Sequence, residues 1–125
     1  MLDSKNQVLV VDDDQGICQL VSRMLEHLGH QSVTVCSGEC AVDECKNGQY
    51  DLVLLDLEMP KMDGRQVYDA LRTAMAELPV IFMTGYRTEE LADSLSDDAA
   101  VGFLAKPFPL NELRSTLNSL LPAAA

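Results

Sequence analysis

The chain has 125 residues, 47% of them hydrophobic and 23% charged, a balance that excludes a disordered segment or a coiled coil and fits a globular core. A domain of this length buries roughly two-thirds of its unfolded surface, so it needs no disulfide or metal staple to fold. Twenty Asp and Glu against nine Lys and Arg give a formal net charge of -11, which argues against direct nucleic-acid binding, where affinity comes chiefly from cationic contacts to phosphate.

Val8-Leu9-Val10-Val11 is a short apolar run rich in β-branched residues, the pattern of a strand buried on both faces, and it stops at Asp12-Asp13-Asp14. Ile17, Leu20, Val21, Met24, Leu25 and Leu28 then recur at spacings of three and four, which predicts a helix with one apolar stripe, capped by Asp14 and closed by Gly29. Ser32-Val33-Thr34-Val35 predicts a second strand, and residues 38–47 a second helix ended by Gly48. Leu52-Val53-Leu54-Leu55 predicts a third strand, followed by a loop through Pro60 and Gly64 and a helix carrying Val67, Leu71 and Met75. Val80-Ile81-Phe82-Met83 predicts a fourth strand, with a shorter polar helix from about Thr88 to Leu95. Phe103-Leu104-Ala105 predicts a fifth, and a last helix shows Leu110, Leu113, Leu117 and Leu120 or Leu121 on one face. Leu121 to Ala125 reads as a domain edge, so residues 1–125 are taken as a single domain.

Five strands alternating with five helices imply right-handed crossovers and an α/β, flavodoxin-like, doubly wound parallel sheet of order 2-1-3-4-5. Such sheets bind ligands outside the C-terminal strand ends where strand order reverses, here between strands one and three. Strand one ends in Asp12-Asp13, strand three in Asp56, strand four in Thr84 and strand five in Lys106. With neighbouring strands about 4.8 Å apart, the carboxylates must crowd, and two such charges at ~4 Å repel by roughly 4 kcal/mol at an effective dielectric of 20. That demands a raised pKa or a bound cation, and oxygen ligands with open positions suit Mg2+. A carboxylate in that setting can attack phosphorus, which makes Asp56 the central nucleophile candidate. Lys106 can pair with one phosphoryl oxygen and the Thr84 hydroxyl can donate to another.

At this point the chain resembles a response-regulator receiver domain of two-component signalling along essentially its whole length. Val10-Val11-Asp12-Asp13 resembles the family's acidic pair, and the segment from Asp51 through Asp56 to Gly64 its phosphorylation region. Met83-Thr84-Gly85 resembles its switch-hydroxyl strand, and Gly102-Phe103-Leu104-Ala105-Lys106-Pro107-Phe108 its switch aromatic and Lys-Pro motif. The resemblance implies that Asp56 accepts phosphate from a histidine kinase or histidine phosphotransfer protein. It implies that Asp13 ligates Mg2+ directly with help from Asp12, and that the Glu58 backbone carbonyl completes the protein ligands. Thr84 then moves toward the phosphate, Phe103 turns inward, and the Lys106-Pro107 bond is cis. The implied protein is a signalling domain that assists its own aspartyl phosphorylation and dephosphorylation, and not a turnover enzyme. Its implied partners are the phosphodonor, a downstream output protein or domain, and a second copy in a phosphorylation-dependent dimer. The face of helix four, strand five and helix five is expected to carry the output, because Thr84 and Phe103 lie beneath it. Some stretches, Met83 to Tyr86 and Gly102 to Phe108 among them, are similar to receiver modules of hybrid sensor kinases. Glu58 and Tyr86, each two residues beyond a site residue, are expected to flank the path of an attacking water, with Tyr86 screening the phosphorus.

Three other readings stand beside this one. A degenerate receiver would bind partners without phosphorylation. A phosphatase of the haloacid-dehalogenase type would carry a second Asp where this chain has Glu58, and a flavodoxin-like electron carrier would carry a hydroxyl- and glycine-rich loop where it has three aspartates. Cys18, Cys36, Cys40 and Cys45 lack a C-x-x-C pair and are expected to be small, buried, reduced thiols. His27 and His30 are expected at the surface. No apolar run approaches ~20 residues and Met1-Leu2-Asp3-Ser4 lacks a leader pattern, so a cytoplasmic domain without membrane contact is expected.

Overall fold

The computed structural model describes residues 6–85, 89–95 and 97–121. Strands β1 (Gln7–Val11), β2 (Gln31–Val35), β3 (Leu52–Asp56), β4 (Val80–Thr84) and β5 (Val101–Ala105) alternate with helices α1 (Gln15–His27), α2 (Gly38–Asn47), α3 (Gly64–Ala74), α4 (Glu89–Ser94) and α5 (Leu110–Leu120). All strand pairs are parallel, in the order β2-β1-β3-β4-β5. The expected fold class and strand order are both found.

Because side chains alternate across a strand, each central strand feeds two cores. Leu9, Val11, Val53, Leu55, Val80 and Phe82 point to one side, where they pack with Ala41, Val67 and Leu71 from α2 and α3. Val8, Val10, Leu52, Leu54, Ile81 and Met83 point to the other and meet Val21 and Leu25 of α1 and Leu113 and Leu117 of α5. Burial on both faces is why these strands read as unbroken apolar runs.

The helix punctuation has identifiable causes. Asp14 caps α1 by accepting from the Gly16 and Ile17 amides at 2.8 and 3.2 Å, and Gly29 past its end has φ +90°, where glycine avoids the Cβ penalty. Asp63 and Gln66 form a reciprocal capping box at the start of α3.

Several expectations need correction. Leu20, placed on the packing stripe of α1, is 56% exposed, because the sheet covers only the side of the helix that carries Cys18, Val21 and Leu25. Cys36 and Cys40 are exposed, whereas Cys18 and Cys45 are buried as expected; burial pushes both of these thiols up to about 11. His30 is half-buried and its Nδ1 is a buried atom without a hydrogen-bond partner; burial lowers its pKa despite the opposing charge of Asp51. Gly48 ends α2 as expected, at an extended φ of -112°. Met75 lies at the C-cap of α3, not within it. Strand β5 starts at Val101, two residues before the expected start, because Gly102 pairs with Ile81 and lies so near α5 that a Cβ there would meet Leu120 and Thr116 at 3.1 Å.

Candidate functional site

The C-terminal ends of β1, β3 and β5 deliver Asp12, Asp56 and Lys106 to one point. Asp12 is 1% and Asp56 3% exposed, and the Lys106 Nζ lies 2.8 Å from Asp12 Oδ2 and 3.1 Å from Asp56 Oδ1. Asp13 is exposed at the rim, yet one carboxylate oxygen from each of Asp12, Asp13 and Asp56 lies within 4.8 Å of the others. Asp14 is turned away as the α1 cap, while its amide donates to Asp12 Oδ1 at 2.9 Å and orients that carboxylate.

Electrostatics follow from this crowding. Burial is the largest influence on Asp56; Lys106 opposes it, Asp12 adds to it, and the carboxyl is pushed up to about 6. For Lys106 burial acts to lower the pKa, but the hydrogen bonds to Asp12 and Asp56 outweigh it and raise the value, keeping a fixed ammonium between the two acids. Among the described residues the grouped ligands are three carboxylates, a donor set suited to a hard divalent cation.

Thr84 ends β4 fully buried, and its Oγ1 donates to the Glu58 carboxylate, 3.0 Å from Oε2 and 3.4 Å from Oε1. The Glu58 side chain also accepts from the Gly85 amide at 3.3 Å, while its own amide donates to Asp56 Oδ1 at 3.3 Å. Phe103 is half-buried and stacks on Phe82 with ring centroids 5.7 Å apart. The Lys106-Pro107 bond is cis. Tyr86 lies outside the described residues.

Two contributors were not singled out in the sequence. A Cβ at Gly64 would stand 2.7 Å from the Asp56 carbonyl oxygen and 2.8 Å from the Leu57 Cα, so only glycine lets α3 start against the end of β3. Its position after Asp63 marks a helix start but not this close approach. The Cys18 thiol donates to the Asp12 backbone oxygen at 3.2 Å, fixing the turn that carries the acidic pair; a lone cysteine on a helix stripe gives no such signal.

Fold and pocket together define a doubly wound α/β domain with an acidic, lysine-braced site at its topological switch point. The chain belongs to the response regulator receiver domain family, whose model matches residues 8–118. It is similar to sporulation initiation phosphotransferase F of Bacillus subtilis, 31% identical over 116 residues that make up 93% of this chain and 94% of that protein. Among solved structures it is similar to chemotaxis protein CheY4 of Vibrio cholerae, with a TM-score of 0.87 and 29% identity over 94% of this chain and 100% of that one. It is also similar to response regulator protein TrrA of Thermotoga maritima in complex with Mg2+-BeF, with a TM-score of 0.83 and 32% identity over 93% and 99% of the two chains. Other curated relatives are much longer: the chain spans 26% of a transcriptional regulatory protein and 13% of a sensor kinase. Family membership decides against the phosphatase and flavin-carrier readings. Among the described residues no helix is long and apolar enough to cross a membrane.

Proposed function

We propose that this receiver accepts a phosphoryl group on Asp56 from a histidine kinase or phosphotransfer protein in the cytoplasm, with Mg2+ bound, and that the modification switches an output surface. The observation that carries the reading is the buried Asp56 carboxylate, 3.1 Å from the Lys106 ammonium and grouped with Asp12 and Asp13. An Asp56 oxygen attacks phosphorus, an O–P bond forms, the donor's N–P bond breaks, and the electron pair returns to the imidazole nitrogen. Lys106, kept charged before transfer by its two carboxylate partners, then trades one of them for a phosphoryl oxygen. Asp12, Asp13, Asp56 and the Glu58 carbonyl would hold Mg2+, which supplies positive charge to offset the carboxylates and the transferring oxygens. We read the chain as a signalling domain, not a turnover enzyme, with the α4–β5–α5 face as output and Phe103 moving beneath it. Incubation with acetyl phosphate and Mg2+ should add one phosphoryl group by intact mass; a chain that gains none under these conditions is a phosphorylation-independent binding module.

The metal assignment separates neighbouring acids. Asp13→Ala should weaken Mg2+ binding by about tenfold or more, while Asp14→Ala should leave it nearly unchanged, because Asp14 is spent on capping α1. Calorimetric titration compares them; equal losses would mean a diffuse acidic field.

The phosphodonor is a protein, and a groove beside the site fits one. Ile17, Leu20, Met24, Pro107 and Phe108 line an apolar cavity of about 250 Å³ with Lys106 at its edge. Leu20 is the one exposed large hydrophobic among the described residues, and it shares its cavity with Lys106, the partner of Asp56, so a helix seated on it would lie beside the acceptor. Leu20→Asp should therefore slow transfer from a phosphotransfer protein by about tenfold relative to labelling by acetyl phosphate, which needs no docking. Stopped-flow or gel-based transfer assays measure the ratio, and an unchanged ratio rules out this face.

A further inference from the structure

We propose that the Glu58 side chain is a resting-state latch: it holds the Thr84 hydroxyl, and loading Asp56 exchanges this carboxylate for a phosphoryl oxygen. The inference rests on Asp56 being the phosphoacceptor and deepens it by naming what opposes the switch. A threonine hydroxyl has one proton to donate. Here that proton is directed at Glu58, 3.0 Å from Oε2, so donation to Glu58 and to a phosphoryl group on Asp56 exclude one another. The acceptor is a carboxylate, and such hydrogen bonds are stronger than neutral ones.

The geometry makes Glu58 a coupling point as well as a competitor. Its amide touches Asp56 Oδ1, while its carboxylate gathers Thr84 Oγ1 and, at 3.3 Å, the Gly85 amide. Thr84 is fully buried, and its carbonyl accepts the Lys106 amide at 2.7 Å, so the β4 end is anchored on its backbone side. Release of the carboxylate therefore removes one acceptor shared by the hydroxyl and by the first amide of the segment leading to α4. Glu58 acts through Thr84, as a positioning residue, and its removal favours the loaded conformation by deleting a competing state.

A double-mutant cycle with beryllofluoride and Mg2+ tests this, with Mg2+ affinity measured separately so that metal effects are divided out. Glu58→Ala keeps the backbone carbonyl and should tighten beryllofluoride binding by about threefold to tenfold, with Glu58→Gln intermediate. In a Thr84→Ala background the same Glu58→Ala change should have almost no effect, since the hydroxyl it restrains is gone. Without recourse to the Thr84 variant, the Gly85 amide resonance should shift in Glu58→Ala, and should move the same way when wild type is loaded with beryllofluoride. Equal tightening with and without the Thr84 hydroxyl would show that Glu58 acts only as a repelling charge, and no tightening, or a Gly85 resonance unmoved by loading, would equally overturn the latch. If wild type fails to bind beryllofluoride with saturating Mg2+, the phosphoacceptor reading falls, and the latch with it.

Discussion

Asp56→Asn is expected to abolish phosphoryl uptake, reducing labelling by acetyl phosphate and Mg2+ to background. The amide matches the carboxylate in shape and can still accept from Lys106, but its oxygen is a far poorer nucleophile, and it removes one of the three grouped carboxylates that could hold a metal. Intact mass with and without hydroxylamine, which cleaves acyl phosphates, checks the result. Labelling equal to wild type would place the phosphoacceptor elsewhere. The same substitution should raise the thermal stability of the metal-free protein near neutral pH. Burial and the Asp12 charge push the Asp56 carboxyl up to about 6. A carboxyl with a raised folded pKa loses folding free energy as pH climbs from its unfolded value through the folded one, and Asn has no charge to bury. Function and stability therefore pull in opposite directions at Asp56, as expected where a site concentrates like charge.

Arg72→Ala is expected to be the most destabilising single change outside the two cores, costing about 3 kcal/mol or more by chemical denaturation. Arg72 leaves α3 largely buried, its Nε 2.7 Å from Asp98 Oδ2, and donates to the carbonyls of Leu78 and Ala100 on the segments entering β4 and β5. Its guanidinium also sits 5.1 Å from the Tyr68 ring, and the Tyr68 hydroxyl donates to Asp98. Truncation would take the counter-ion from a part-buried carboxylate, leaving it to Tyr68 and the Ala100 amide, and would remove the guanidinium donors to the Leu78 and Ala100 carbonyls. The network also shapes the acid limb of stability. Burial alone would raise the Asp98 pKa, but hydrogen bonds from Arg72, Tyr68 and the Ala100 amide outweigh it and bring the carboxyl down to about 2. With the folded pKa depressed, the stabilisation is present above the unfolded value near 4 and is lost as pH falls toward 2, an amount on the order of 2 kcal/mol. Asp98→Asn should flatten the stability profile in that window; an unchanged slope between pH 4 and 2 would mean that the ion pair contributes nothing.

The sequence by itself determined the architecture and the address of the site. Val8–Val11, Leu52–Leu55 and Val80–Met83 are apolar at every position because each strand is covered on both faces, and that requirement is written residue by residue. The same punctuation that ends those strands puts Asp12, Asp56, Thr84 and Lys106 at one sheet edge, so the grouping of the acids and the lysine followed from strand order alone. Local patterning could not say which side of a helix the sheet leaves open. Leu20 shares the periodic stripe with Val21 and Leu25, and only the limited reach of the sheet exposes it. Nor could it say where a long polar side chain turns. Glu58 on the β3–α3 loop can reach water, metal or strand, and it is the adjacency of the β3 and β4 ends that turns its carboxylate to Thr84. The Arg72–Asp98 pair joins residues 26 apart in the chain through two unrelated segments, and the burial of Cys18 against Asp12 depends on how α1 settles over β1. Backbone periodicity is a local property readable from neighbours in sequence, whereas side-chain partnership depends on distances that exist only once the sheet has assembled.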